Sequence, residues 1–123
     1  MELDESLKVY FDSTKNLRTQ QGINSPVFMS KEMMRLSQAT GGIEEKLAEL
    51  EKDYEVQVAQ KLKLYLIDEG TSATNAEKRV KIDLGEVKGQ LAYLSRLVSS
   101  AWKQISTIQS RYNHLVKENS HQV

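Results

Sequence analysis

Cysteine is absent from the 123 residues, so no disulfide framework or thiolate metal site can form, and the chain suits a reducing compartment. Proline occurs once and glycine six times. So few turn formers disfavour any fold made of many short strands. Neither sign of charge is in surplus, because 17 basic side chains cancel 17 acidic ones. A dedicated duplex-DNA binder carries a basic excess instead. No apolar run approaches the roughly 18 residues of a membrane span. The start of the chain (Met1, Glu2, Leu3, Asp4, Glu5) is acidic, so no secretory signal is expected. Hydrophobic residues are 39% and charged residues 28% of the total. That ratio fits elongated helices that each bury one stripe and solvate the rest.

The pattern along the chain predicts a single all-α domain, 1–123. Residues 3–24 read as an N-terminal helix and loop, with Leu3, Leu7, Tyr10, Phe11 and Leu17 at helical spacing and a break at 21–24. Asp4 and Glu5 at the start and Arg18 near the end complement the helix dipole. Residues 25–69 read as a long helix opened by Ser25 as N-cap and Pro26 at the first helical position, where a missing N–H costs nothing. Its apolar positions are Met29, Met33, Leu36, Thr40, Ile43, Leu47, Leu50 and Tyr54, the alternating four-three steps of a coiled-coil seam. Gly41 and Gly42 cost that helix about 2 kcal/mol against alanine, yet the seam keeps its phase across them, so one helix is expected rather than two. After Tyr54 the steps run Val58, Leu62, Tyr65, a stutter that straightens a supercoil.

A turn is expected at 70–73, with Gly70 ending the long helix. Ser72 or Thr74 opens the next, and Thr74 with Glu77 matches a capping box. The segment 74–118 carries the strongest pattern. Val80, Leu84, Val87, Leu91, Leu94, Val98, Ala101, Ile105, Ile108, Tyr112 and Leu115 follow four-three spacing without interruption. Two helices of nearly equal length, each roughly 65–70 Å at 1.5 Å per residue, joined by a short turn, predict an antiparallel coiled-coil hairpin. The tail 119–123 should fray. Charge supports the pairing. Residues 43–69 hold eight acids and four bases, and residues 76–123 hold four acids and eight bases.

Nothing in the sequence assembles a catalytic centre, so no enzyme, cofactor or metal is expected. His114 and His121 lie near the C-terminus, and each has only Glu118 at helical spacing. Glu118 and His121 match one Glu-x-x-His pair, but a di-metal bundle site needs two such pairs and two further glutamates. Both histidines read as solvated. Glycine-rich phosphate loops and nucleophile elbows are missing.

Three surface features remain. Gly85 and Gly89 share a helix face, with Ala92 and Ser99 continuing it, and allow another backbone to approach. Such a strip either receives the N-terminal helix or a second protomer, or it binds a partner. Lys81, Lys88, Arg96, Lys103 and Arg111 recur every seven or eight residues on the outer side of the third segment, with Tyr93 and Trp102 nearby. This stripe either matches the acidic second helix or tracks a single-stranded nucleic acid. Ile82, Leu97 and Trp102 are apolar but off the seam, so a bare hairpin leaves them uncovered and homo-oligomerisation is the expected remedy.

The stretches 69–78, 85–90 and 108–114 resemble small helical proteins encoded by tailed bacteriophages, over residues 43–116. The resemblance implies an accessory role in the bacterial cytoplasm, beside recombination or single-strand-binding genes or against a host defence system, with no catalytic residues to carry over. Together these readings predict a non-catalytic interaction protein that contacts a protein partner through Gly85, Gly89, Tyr93, Leu97 and Trp102. A single-stranded nucleic-acid accessory using Lys81, Lys88, Arg96, Lys103 and Arg111 is the alternative. An oligomer that sequesters a nucleotide is a third reading. The seam gives the first test: Leu94→Glu places an unpaired charge in it and should cost about 3 kcal/mol or more, seen as a large drop in melting temperature by circular dichroism.

Overall fold

The computed structural model describes residues 2–121, and the side chains of all of these except 20, 21 and 119–121. The described residues form helices α1 (Leu3–Leu17), α2 (Gln20–Asn24) and α3 (Pro26–Lys63), a π-helical turn (Leu64–Asp68), then α4 (Ala73–Asp83) and α5 (Gly85–His121), with no strand among them. The all-α expectation holds. The chain clusters into two compact units, Met1–Glu45 with Arg96–Val123, and Lys46–Ser95.

In the first unit, α1 buries Ser6, Tyr10, Ser13 and Leu17. Two of these are serines that a search for apolar residues passes over, whereas Phe11, expected on the covered face, is 48% exposed. The segment 21–24, expected to be a break, belongs to a short helix because Thr19 caps it: the Gly22 N–H donates to Thr19 Oγ1 at 3.1 Å. Gly22 is required there. A Cβ would lie 2.8 Å from the Leu17 Cα and nearer still to the Asn16 carbonyl oxygen. Ser25 caps α3 as predicted, accepting the Phe28 N–H at Oγ over 3.4 Å.

The first half of α3 buries Met29, Met33, Leu36, Thr40 and Ile43 along the predicted seam, and Glu32 and Ala39 beside it. Thr40 satisfies its buried hydroxyl on the Leu36 carbonyl at 2.7 Å. Glu32 holds Arg35 at 3.1 Å. The helix runs unbroken through Gly41 and Gly42. Their roles differ: a Cβ on Gly42 would lie 2.5 Å from Ser6 Oγ of α1, while one on Gly41 would meet nothing within 4 Å. Three further bonds close this unit. Tyr10 donates its hydroxyl to the Leu97 carbonyl at 3.0 Å, Arg111 donates to the Ile23 carbonyl at 2.9 Å, and the Trp102 indole N–H donates to the Glu44 carboxylate.

In the second unit Tyr65, Ala76, Val80 and Leu84 form a small core, with Tyr54, Val58 and Leu62 packed against it. Gly70 takes a positive φ of 65°, as a helix-ending glycine does. Ser72 is the N-cap of α4, accepting the Asn75 N–H at 3.4 Å. Thr74 therefore lies inside the helix, and the Thr74–Glu77 capping box is not used. The helix expected over 74–118 begins at Ala73 and is interrupted at Leu84, whose φ and ψ are −106° and 10°. The following Gly85 is a poor helix former and tolerates the kink. Backbone bonds on either side persist, Leu84 to Val80 and Lys88 to Leu84, both at 2.9 Å. The second stretch continues to His121, three residues into the expected tail 119–123. Residues 122 and 123 lie outside the described residues, as does the His121 side chain. Every seam residue from Val80 to Leu115 is buried or half-buried, while off-seam Ile82 is 80% exposed.

The glycines and serines make opposite predictions under chemical denaturation. Gly41→Ala should stabilise by about 0.5–1 kcal/mol, since it gains helix propensity in open space. Gly22→Ala should destabilise by more than about 1 kcal/mol, because the clash is with backbone that must move. Ser6 and Ser13 are fully buried and their hydroxyls have no hydrogen-bond partner. Ser6→Ala and Ser13→Ala should therefore each raise stability by about 1 kcal/mol.

Candidate functional site

The second unit carries a groove where the seam is incompletely closed. Its floor comes from α3 residues Tyr54, Val58 and Leu62 on one wall and from Val80, Leu91 and Ala92 on the other. Tyr54, Val58, Leu62 and Leu91 are only half-buried. The groove has two lobes of about 350 and 180 Å³, which share Tyr54 and Lys88. The α3 wall is the stretch where the sequence steps four-four instead of four-three. A stutter of this kind locally unwinds a coiled coil. The rims differ in charge. Glu51 and Glu55 edge the α3 side of the larger lobe, with Lys88 across from them. Glu77 and Lys81 edge the smaller lobe with Lys88.

Beyond the smaller lobe, polar side chains secure the π turn to α4. Tyr65 donates its hydroxyl to the Asp83 carboxylate, Lys61 pairs with Asp83 at 3.6 Å, and Arg79 pairs with Glu69 at 2.5 Å. The Arg79 guanidinium also lies 3.9 Å over the Tyr65 ring, a cation–π contact. The Tyr65 hydrogen bond holds the Asp83 carboxyl below its ordinary range against the opposing effect of desolvation, and Lys61 and Arg79 add to it. The same hydrogen bond, with desolvation, raises the Tyr65 phenol. Leu64, Leu66 and Ile67 of this turn remain exposed, Ile67 at 70%.

The first unit has a separate groove of about 420 Å³ lined by Leu17, Ile23 and Ile108, with Arg18 and Lys103 at its edge and Gln104 and Thr107 completing it.

The residues singled out from sequence for a protein partner divide between the units. Gly85, Gly89 and Tyr93 are exposed in the second unit. A Cβ at either glycine meets nothing within 4 Å. The close approach of α1 is to Gly42. Leu97 is half-buried and its carbonyl accepts from Tyr10. Trp102 is 43% exposed, with its indole N–H taken by Glu44. Of the basic stripe, Lys81, Lys88, Arg96 and Lys103 are exposed, and their side chains make no ion pair or hydrogen bond among the described residues. Arg111 is held by Ile23 and Asn24. His114 is exposed and lies 3.0 Å from Glu118, the spacing read from sequence. Among the described residues no group of three or more acidic or histidine side chains is placed to hold a metal ion, and no helix is long and apolar enough to cross a membrane.

Sequence reasoning assigned Tyr54, Val58 and Leu62 to the seam without marking them as a site. The stutter was the available signal. Comparison with protein-family models, with characterised proteins and with solved structures gives no match.

The Tyr65–Asp83 bond predicts a pH signature. A depressed carboxyl contributes stability above its ordinary pKa of about 4 that is lost as pH falls through the lower folded value. A raised phenol contributes stability below about 10 that is lost as pH rises through the higher folded value. Melting temperature should thus be flat between these limits and fall outside both. Tyr65→Phe should lower the plateau and make both limbs shallower in a pH series of thermal melts.

Proposed function

We propose that this chain is a non-catalytic helical interaction protein whose docking surface is the half-open groove of the second unit. In this reading α3 pairs with α4 and α5 as an antiparallel coiled-coil hairpin, and the stutter leaves a gap in it that a partner helix fills. The observation that carries the proposal is the half-burial of Tyr54, Val58, Leu62 and Leu91 in the second unit, whereas the α3 seam residues Met29, Met33, Leu36 and Ile43 of the first unit are buried. Exposed Gly85, Gly89 and Tyr93 extend the surface along α5. The mechanism is occlusion or scaffolding, in which binding energy comes from apolar burial and the charged rims set register. The resemblance to tailed-phage accessory proteins puts the action in the bacterial host cytoplasm, on a recombination or defence component.

A photo-crosslinking residue at Ala92, expressed in bacteria, should trap a protein, and the same residue at exposed His114 should not. Ala92→Arg, which fills the groove with a charge, should abolish recognition while leaving the helical circular dichroism unchanged. Trapping that is equal at both positions, or absent from both, overturns the proposal.

The four exposed and unpaired cations Lys81, Lys88, Arg96 and Lys103 support a second reading, in which they track single-stranded nucleic acid. It predicts oligonucleotide binding that weakens steeply with salt. No binding in low salt removes it.

A further inference from the structure

The geometry points to a second copy of this chain as the occupant of the groove, docked groove to groove about a two-fold axis parallel to the helices. The inference rests on the groove being a docking surface, as proposed above, and names what fills it.

The rims supply the argument. In the larger lobe the acidic edge, Glu51 and Glu55, belongs to α3, and the basic edge, Lys88, belongs to α5 at the same level. Three two-fold orientations can be considered. An axis across the helices, in the plane of the groove, sets α3 on α3, so that glutamates meet glutamates. An axis normal to the groove leaves the two grooves facing the same way and joins nothing. An axis along the helices lays α3 of one copy over α5 of the other without shifting the level. Lys88 of each copy then meets Glu51 and Glu55 of the other. Only this orientation is self-complementary, and an isologous contact must be. A foreign partner would need no such balance of sign across one groove.

Two further observations agree. Gly85 and Gly89 stand on the same helix strip as Ala92, which lines the groove. Nothing within this chain lies within 4 Å of a Cβ at either glycine. A neighbouring helix laid over Ala92 would make the close approach that those glycines permit. The second unit also leaves Ile82 80% and Tyr93 51% exposed, so apolar surface continues beyond the groove's edge.

The test uses the full-length chain in sedimentation equilibrium at low salt. The wild type should form a dimer. Lys88→Glu sets six acidic rim residues of a would-be pair against one another, three from each copy, and Glu51→Lys with Glu55→Lys does the converse. Each variant alone should dimerise at least about tenfold more weakly. An equimolar mixture should form a heterodimer as tight as the wild type, because each groove then meets the opposite sign. A folding defect cannot produce that recovery, since neither chain is repaired. A monomeric wild type, or a dimer indifferent to both variants, or a mixture that fails to recover, overturns the inference. If the wild type is monomeric while crosslinking at Ala92 still traps another protein, the docking groove stands and only its occupant changes.

Discussion

Long amphipathic helices stand only if something hides the apolar stripe that recurs every three or four residues along them. Helix propensity does not carry α3 or α5, because glycines lie within both and their stability must come from packing. The two units meet that demand unequally. In the first, α1 lies on α3 at Gly42 and reaches α5 through Tyr10. Met29, Leu36 and Ile43 are consequently almost fully removed from water. In the second the α3 seam residues from Leu47 to Leu62 are half-buried, and the buried aromatic is Tyr65 of the π turn.

This inequality explains why polar interactions gather where they do. A two-helix end with a small core gains little from burial, so other contacts must keep the π turn against α4. Tyr65 does both jobs: its ring is buried under Arg79 and its hydroxyl is spent on Asp83. Exposed ion pairs alone contribute little. Coupling them to a buried aromatic ring lets Arg79 and Glu69 fix the turn, since moving either would uncover the ring.

The repeat of the seam was legible in the sequence because each of its positions obeys one rule, alternating steps of four and three, and burial follows it from Met29 to Leu115. The caps at Ser25 and Ser72 and the turn at Gly70 were legible for the same reason: each follows from the bonding needs of one helix end. What was not legible depended on pairs of distant residues. Gly42 and Gly85 look alike in sequence, yet only Gly42 has α1 against it. Ser6 and Ser13 score as polar, but small size is what their positions need. Gly22 was read as a breaker, whereas its role is to let a capped turn fold back on Leu17. The kink at Leu84 falls on a seam residue, so the periodicity passes straight over it. The groove of the second unit was half legible: the stutter marked where the phase changes, but a phase change alone does not say that the side chains there are left half-exposed.

Several uncompensated costs border the groove of the second unit. Gly85 and Gly89 weaken α5 without receiving any segment of this chain, Ile82 and Tyr93 are left in water, and Tyr54, Val58 and Leu62 are only partly covered. All of these belong to residues 46–95. The first unit has costs of another kind, the buried and partnerless hydroxyls of Ser6, Ser13 and Thr14. Exposed apolar side chains are not confined to the second unit, since Val27 is 83% and Met34 63% exposed in the first, and Gly41 is as open as Gly85 and Gly89. What is particular to the second unit is a half-buried stretch of α3 beside oppositely charged rims, and the proposed binding role rests on that rather than on exposed apolar area.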